Sequence, residues 1–194
     1  LKMRMPGLGG RTIGKLGATA VLMGGPDILT SLASGAIDAA EWICPVADLG
    51  LGMHQAAKFY YGPGWHEPST LLDLSIDLKE WEGLDADTQA LMMEMAKAFN
   101  VDVFSRFQAL NGPALGKLLN EHGVQLKTFP DELLIALGNA AGEVMEERGS
   151  IDSQTKAICN HILSFRKNIM DWSTKGESEF ARIRNLPFKF PSSV

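Results

Sequence analysis

The first forty residues alternate short apolar runs with glycine- or proline-marked helical stretches, and this alternation restricts the fold more than any other feature. Residues 2–5 alternate weakly and stop at Pro6-Gly7, which reads as a short strand feeding a turn. Gly9 to Leu16 fits one helix, and Ala18 to Met23 a second strand. Pro26 falls in the first turn of a helix expected to reach about Ser34, with Gly35 as its stop. Ala36 to Ala40 then reads as a small-residue strand. Strands and helices in this order predict an α/β architecture with a mainly parallel sheet.

Beyond this point the period of the apolar residues decides. Leu72, Leu74, Ile76 and Leu78 fall two apart, so Ser69 to Leu78 is expected to be a strand. After Trp81 the pattern turns helical. Asp85 and Asp87 favour a helix N-terminus, and Leu91, Met95, Phe99, Val103, Phe107 and Leu110 share one stripe. A short strand, Val124 to Thr128, precedes a helix opened by Pro130, Asp131 and Glu132, lined by Leu133, Leu137, Ala141 and Val144, and ended by Gly149. Ile151, Ile158, Ile162, Phe165, Ile169 and Trp172 form a narrow heptad-like seam on a last long helix. That seam packs on its own lobe, or crosses to a second copy of the chain.

Bulk properties exclude some classes. A net charge of −5 in 194 residues argues against phosphate-backbone binding. It leaves room for a small anion, since one well-placed Arg can dominate a cleft. The longest apolar runs are broken well short of a bilayer span. No signal peptide opens the sequence, and Leu1 to Met5 reads as a strand already under way, so a longer parent chain is expected. Cys44 and Cys159 are no disulfide framework and are expected to be unpaired and largely buried.

Two motifs are decoys. With Gly7 and Gly9 as the first pair of a dinucleotide fingerprint, the third glycine belongs where Thr12 stands. Gly112 to Lys117 is one residue short of a P-loop, and Leu118 occupies the place of the metal-binding hydroxyl. His54, His66, His122 and His161 lack zinc-ligand spacing, and there is no GxSxG elbow.

What remains is a set of polar groups at strand ends. Arg4 stands just before the Pro6-Gly7 turn, where a guanidinium reaching a cleft grips a carboxylate with two parallel hydrogen bonds. A solvent-facing or salt-bridged Arg is the alternative. Glu41 follows the Ala36–Ala40 strand, and open α/β sheets bind ligands beyond the carboxyl ends of their strands. A hinge or capping Glu is its alternative. The loop Gly62 to Pro68 carries Trp65, His66 and Glu67; Trp65 fits equally as packing. If Glu41 and Glu67 meet, their repulsion calls for a hard cation with oxygen ligands.

The segments MRMPGLGG (3–10), GAIDAAEW (35–42) and YYGPGWHEP (60–68) together resemble the substrate-binding proteins of TRAP (tripartite ATP-independent periplasmic) transporters, the dicarboxylate-binding-protein family. The likeness is to the branch that binds 2-oxo acids and related monocarboxylates. It extends through VQLKTFPDE (124–132) and the terminal helix. It implies a two-lobed α/β fold with long C-terminal helices, in a periplasmic protein whose precursor has a signal peptide. Of that fold the chain would hold residues 1–41 as a βαβ part of the second lobe. Residues 42–80 would be a crossover with strands returning to the first lobe, 81–150 a helical part packing on the second, and 151–194 a terminal helix and tail. The first lobe itself would be missing.

The resemblance also implies roles. Arg4 would bind the substrate carboxylate. Glu41, the Trp42 backbone carbonyl and Glu67 would hold a sodium or calcium ion bridging protein and substrate. The expected function is therefore a receptor, not an enzyme, delivering a small carboxylate such as pyruvate to TRAP membrane subunits, with a homodimer through the terminal helix. The rivals are an α/β enzyme using Glu41 or Glu67 as general base, and a helical interaction module built on the Ile151–Trp172 seam.

Overall fold

The computed structural model describes residues 1–67 and 73–189. Two compact units divide the chain, residues 1–141 and residues from 142 onward.

The first unit opens with β1 (Lys2–Arg4), α1 (Gly7–Lys15), β2 (Thr19–Val21), α2 (Gly25–Ala33) and β3 (Ala39–Ala40). The strands form one parallel sheet in the order β2-β1-β3, with Arg4 opposite both Val21 and Ala40. Such pairing needs a crossover on each connection, and α1 and α2 supply them. β3 is shorter than the five residues its sequence offers. Ile37 is fully buried and its N–H is taken by Ser31 O, so residues 36–38 finish the turn after α2 instead of extending the strand. Met5, Ile13 and Leu137 form the core cluster, with Met3, Ala18 and Trp65 packed on it. The packing alternative for Trp65 therefore holds.

α3 (Pro45–Gly50) and a single 3₁₀ turn (Met53–Gln55) lead into β4 (Phe59–Gly62). β4 pairs in parallel with β5 (Gln125–Thr128), Phe59 standing opposite Gln125. Between them lie α4 (Leu78–Glu82) and the 35-residue α5 (Ala86–Asn120). Asp77 caps α4, accepting from Lys79 N at 2.9 Å. Asp85 caps α5 in the same way through Thr88 N, also at 2.9 Å.

The expected strand at 69–78 is corrected in part. Residues 68–72 lie outside the described residues, 73–77 are irregular, and Leu78 already starts α4. A period of two prepares one face, but a strand needs a neighbouring backbone to pair with, and none of the described strands lies against 73–77. The α5 stripe lies on one helix as expected, and its start is open. Leu91, Met95 and Phe99 are about 60% exposed, and the buried residues of α5 are Ala114 and Leu118 near its other end.

α6 (Asp131–Gly149) begins in the first unit and ends in the second. α7 (Ser153–Ser173) follows, capped by Asp152 through Thr155 N at 2.7 Å. A π turn (Thr174–Ser178) then leads into α8 (Glu179–Arg184). Cys159 is buried, Cys44 half-buried, and both are free thiols. The seam of α7 presents an apolar face. Ile158, Ile162, Phe165 and Trp172 stand out in solvent.

Candidate functional site

The site forms where β1 and β3 end. Arg4 is the last residue of β1, and its carbonyl accepts from Glu41 N, the residue just past β3, at 3.1 Å. Parallel pairing thus brings the two candidate side chains to the same edge of the sheet. Arg4 is 8% exposed. Its Nε donates to Met23 O at 3.3 Å and its Nη1 to Glu41 O at 2.8 Å. Nη1 also forms a close ion pair with Glu41 Oε1. The guanidinium carbon lies 5.1 Å from the Trp42 ring, within cation–π range. Of the two alternatives to ligand binding, Arg4 is salt-bridged and not solvent-facing.

His66 and Glu67 approach from the loop after β4. His66 Nε2 stands 3.7 Å from Glu41 Oε2 and 3.9 Å from Glu67 Oε2, too far for hydrogen bonds but close enough for one atom to bridge them. One donor atom from each of Glu41, His66 and Glu67 falls within 4.8 Å of the others. Glu41 and Glu67, expected to meet, do meet. His66, set aside on spacing, joins them because its ring lies against α1. A Cβ on Gly9 would come within 3.0 Å of His66 Cδ2.

Electrostatics favour a positive occupant. Burial pushes the Glu41 carboxyl above its usual range, the Arg4 charge pulls it down, and the charges of Glu67 and Asp48 push it up again. Burial lowers the His66 pKa while Glu67 raises it in part, and His66 Nδ1 is buried without a hydrogen-bond partner among the described residues. Two carboxylates under mutual repulsion fit a hard cation such as sodium or calcium. The imidazole is the less typical donor for such an ion.

Next to Ile43 lies a second polar pair that nothing in the sequence pattern signals. Asp48, in the first turn of α3, is buried. Its Oδ2 accepts from the Tyr60 hydroxyl at 2.5 Å and its Oδ1 from Ile43 N at 3.4 Å. Burial raises the Asp48 carboxyl, and these bonds lower it in part. Burial, followed by the bond to Asp48, drives the Tyr60 hydroxyl far up. An open hollow of about 280 Å³, lined by Met5, Pro6, Gly7, Arg11 and Leu22 among others, opens past the end of β1.

The sequence pattern of the bacterial extracellular solute-binding protein family 7 matches residues 1–150. The chain belongs to that family. A monocarboxylate 2-oxoacid-binding periplasmic protein of Nostoc sp. is 37% identical over 180 residues, which is 93% of this chain and 49% of the relative. Two solved structures superpose closely on this family 7 chain. A TRAP periplasmic solute-binding protein from Pseudoalteromonas atlantica with bound sodium and pyruvate gives a TM-score of 0.87 at 30% identity, over 97% of this chain and 56% of that one. One from Colwellia psychrerythraea with bound calcium and pyruvate gives 0.85 at 32%, over 94% and 56%. The family 7 chain therefore spans about half the length of the relatives it matches. No helix among its described residues is long and apolar enough to cross a membrane.

Proposed function

We propose that the chain is the C-terminal portion of a periplasmic receptor that binds a small 2-oxo acid such as pyruvate together with a hard cation, and hands it to the membrane subunits of a TRAP transporter. The observation that carries this reading is the convergence of Arg4, Glu41, His66 and Glu67 at the carboxyl edge of one parallel sheet. Glu41, Glu67 and the Trp42 backbone carbonyl hold the cation, which supplies positive charge for the substrate's carboxylate and oxo oxygens. Arg4 supplies the guanidinium that orients the carboxylate. Arg4 Nη1, now paired with Glu41, would be available to the ligand carboxylate were Glu41 engaged by a cation. Closure of two lobes on the ligand is then a population shift driven by contacts made only when closed. No bond is made or broken.

On the same reading residues 1–41 and 81–150 serve the second lobe, 42–80 the crossover, and 151–194 the terminal helix, with the other lobe in the remainder of the protein. The exposed apolar face of α7 supports a homodimer through that helix.

The test uses the full-length protein in thermal unfolding against 2-oxo acids, hydroxy acids, dicarboxylates and sugar acids, with and without sodium or calcium. A ligand at one hundred times its Kd stabilises by about 2.7 kcal/mol. A cation-dependent rise confined to 2-oxo acids is the expected result, and no rise with any carboxylate overturns the reading. The raised Glu41 carboxyl favours one rival, a general base. Turnover of a bound carboxylate, abolished in Glu41→Gln with binding retained, establishes that rival instead.

A further inference from the structure

We infer that Asp48, braced by Tyr60, is a positioning residue that sets the direction and basicity of the Trp42 carbonyl. The inference rests on the cation reading above and adds to it a group that touches neither cation nor substrate.

A carboxylate buried to 7% exposure needs partners, and both of Asp48's oxygens have one. Tyr60 holds Oδ2 at 2.5 Å, and the Ile43 N–H reaches Oδ1 at 3.4 Å. The Ile43 N–H and the Trp42 carbonyl are the two ends of one peptide unit. That unit is trans, because Gly62-Pro63 is the cis bond among the described residues. In a planar trans peptide the N–H and C=O point in opposite directions. Drawing the N–H towards Asp48 therefore turns the carbonyl away from Asp48. An anionic acceptor on the N–H also polarises the amide, adding negative charge to its oxygen. Both effects favour a cation ligand, as partners behind metal ligands generally do.

Capping of α3 accounts for part of this, since the Cys44 N–H at the cap position also reaches the Asp48 carboxylate. The bond from Ile43 N lies one residue further back, outside the helix. Tyr60 arrives from β4, the strand that also carries the loop of His66 and Glu67. One hydroxyl thereby links the Trp42 side of the site to the Glu67 side.

Trp42-Ile43 is the one Trp-Ile step in the sequence. Carbonyl-¹³C tryptophan combined with ¹⁵N isoleucine therefore lights a single peptide unit among these 194 residues, and in the full-length protein its resonance is assigned as the one lost in Ile43→Val. With calcium and pyruvate, the wild-type Trp42 carbonyl resonance is expected to move. Asp48→Asn keeps the shape and an acceptor oxygen but removes the charge. It should shift the Ile43 amide proton upfield, shrink the calcium-induced carbonyl shift, and weaken calcium binding about tenfold or more. Tyr60→Phe should act in the same direction with smaller size, and it carries the test if Asp48→Asn does not fold. Calcium affinity within twofold of wild type in both variants overturns the inference. So does weakened binding with an unchanged carbonyl shift, which marks a general structural effect. A wild-type carbonyl that ignores calcium and pyruvate sinks the cation reading itself, and the inference with it.

Discussion

Trp42 lies over Gly25 so closely that a Cβ added there would stand 2.8 Å from Cη2 of the indole. The same ring faces the Arg4 guanidinium on the cation–π path. α2 therefore fixes the wall against which Arg4 rests, although no α2 side chain takes part in the site. Gly25→Ala should push the indole off its seat at about 1–3 kcal/mol, the usual cost of overpacking. Loss of melting temperature together with a changed tryptophan emission checks this; an unchanged spectrum refutes it.

Glu41 and Glu67 should respond to neutralisation with opposite signs. Glu41→Gln leaves the buried Arg4 without its carboxylate, and about 1–3 kcal/mol of stability should go with it, less than for a fully buried pair. Glu67 is half exposed and repels Glu41. Glu67→Gln should leave the cation-free protein as stable as wild type or slightly more so, within about 0.5 kcal/mol. Both variants should lose the cation-dependent part of ligand binding. Denaturant melts with and without calcium read both effects.

His54 and His122 lie against each other with ring centroids 3.9 Å apart and planes tilted by 31°. Burial, then the charge of His122, lowers the His54 pKa from 6.5. The unfolded chain thus takes a proton there near pH 6.5 while the folded chain resists until lower pH. The stability this residue contributes is complete above 6.5 and lost as pH falls from 6.5 through the folded value. His122→Asn removes one of the two causes and should flatten the fall in melting temperature between pH 7.5 and 5.5. Superposable profiles would show that the two rings do not communicate by charge.

The apolar face of α7 gives a test of self-association. Ile162 and Phe165 are exposed, so lysine at both positions should cost the single chain little while burying two charges in any helix-to-helix contact. Sedimentation should report a dimer for the intact wild type and a monomer for Ile162→Lys/Phe165→Lys. An unchanged mass excludes α7 as the contact.

How much of this was legible in the sequence follows from which interactions are local. The β–α alternation of residues 2–40 and the Asp85 start of α5 are written in turns and caps, and the structure agrees with them. Arg4, Glu41 and Glu67 were legible as residue types at strand ends and in a loop; parallel pairing brings the first two together, and the loop after β4 brings Glu67. His66 was passed over because ligand spacing describes one element, whereas His66 reaches Glu41 across three. Asp48 and Tyr60 carried no signal, since a short helix and a distant strand must both be in place before they touch. What the period left unread has one cause. Leu74 to Leu78 and the Leu91–Phe99 stripe each present an apolar face, and a period records that a face exists without recording what lies against it.

The pairing of β4 with β5 joins residue 59 to residue 125, with the whole of α4 and α5 between them. Contacts so distant along the chain close late in folding, because the entropy of the intervening loop must be overcome before the pairing stabilises anything. Arg4 and Glu41 come together early, from one compact βαβ segment. Glu67 hangs from the far end of β4, so a nascent chain has its Arg4–Glu41 pair before Glu67 is held beside it. On the proposed reading, cation affinity during refolding should report the last step of assembly, readable by stopped-flow in the same sample that reports the sheet.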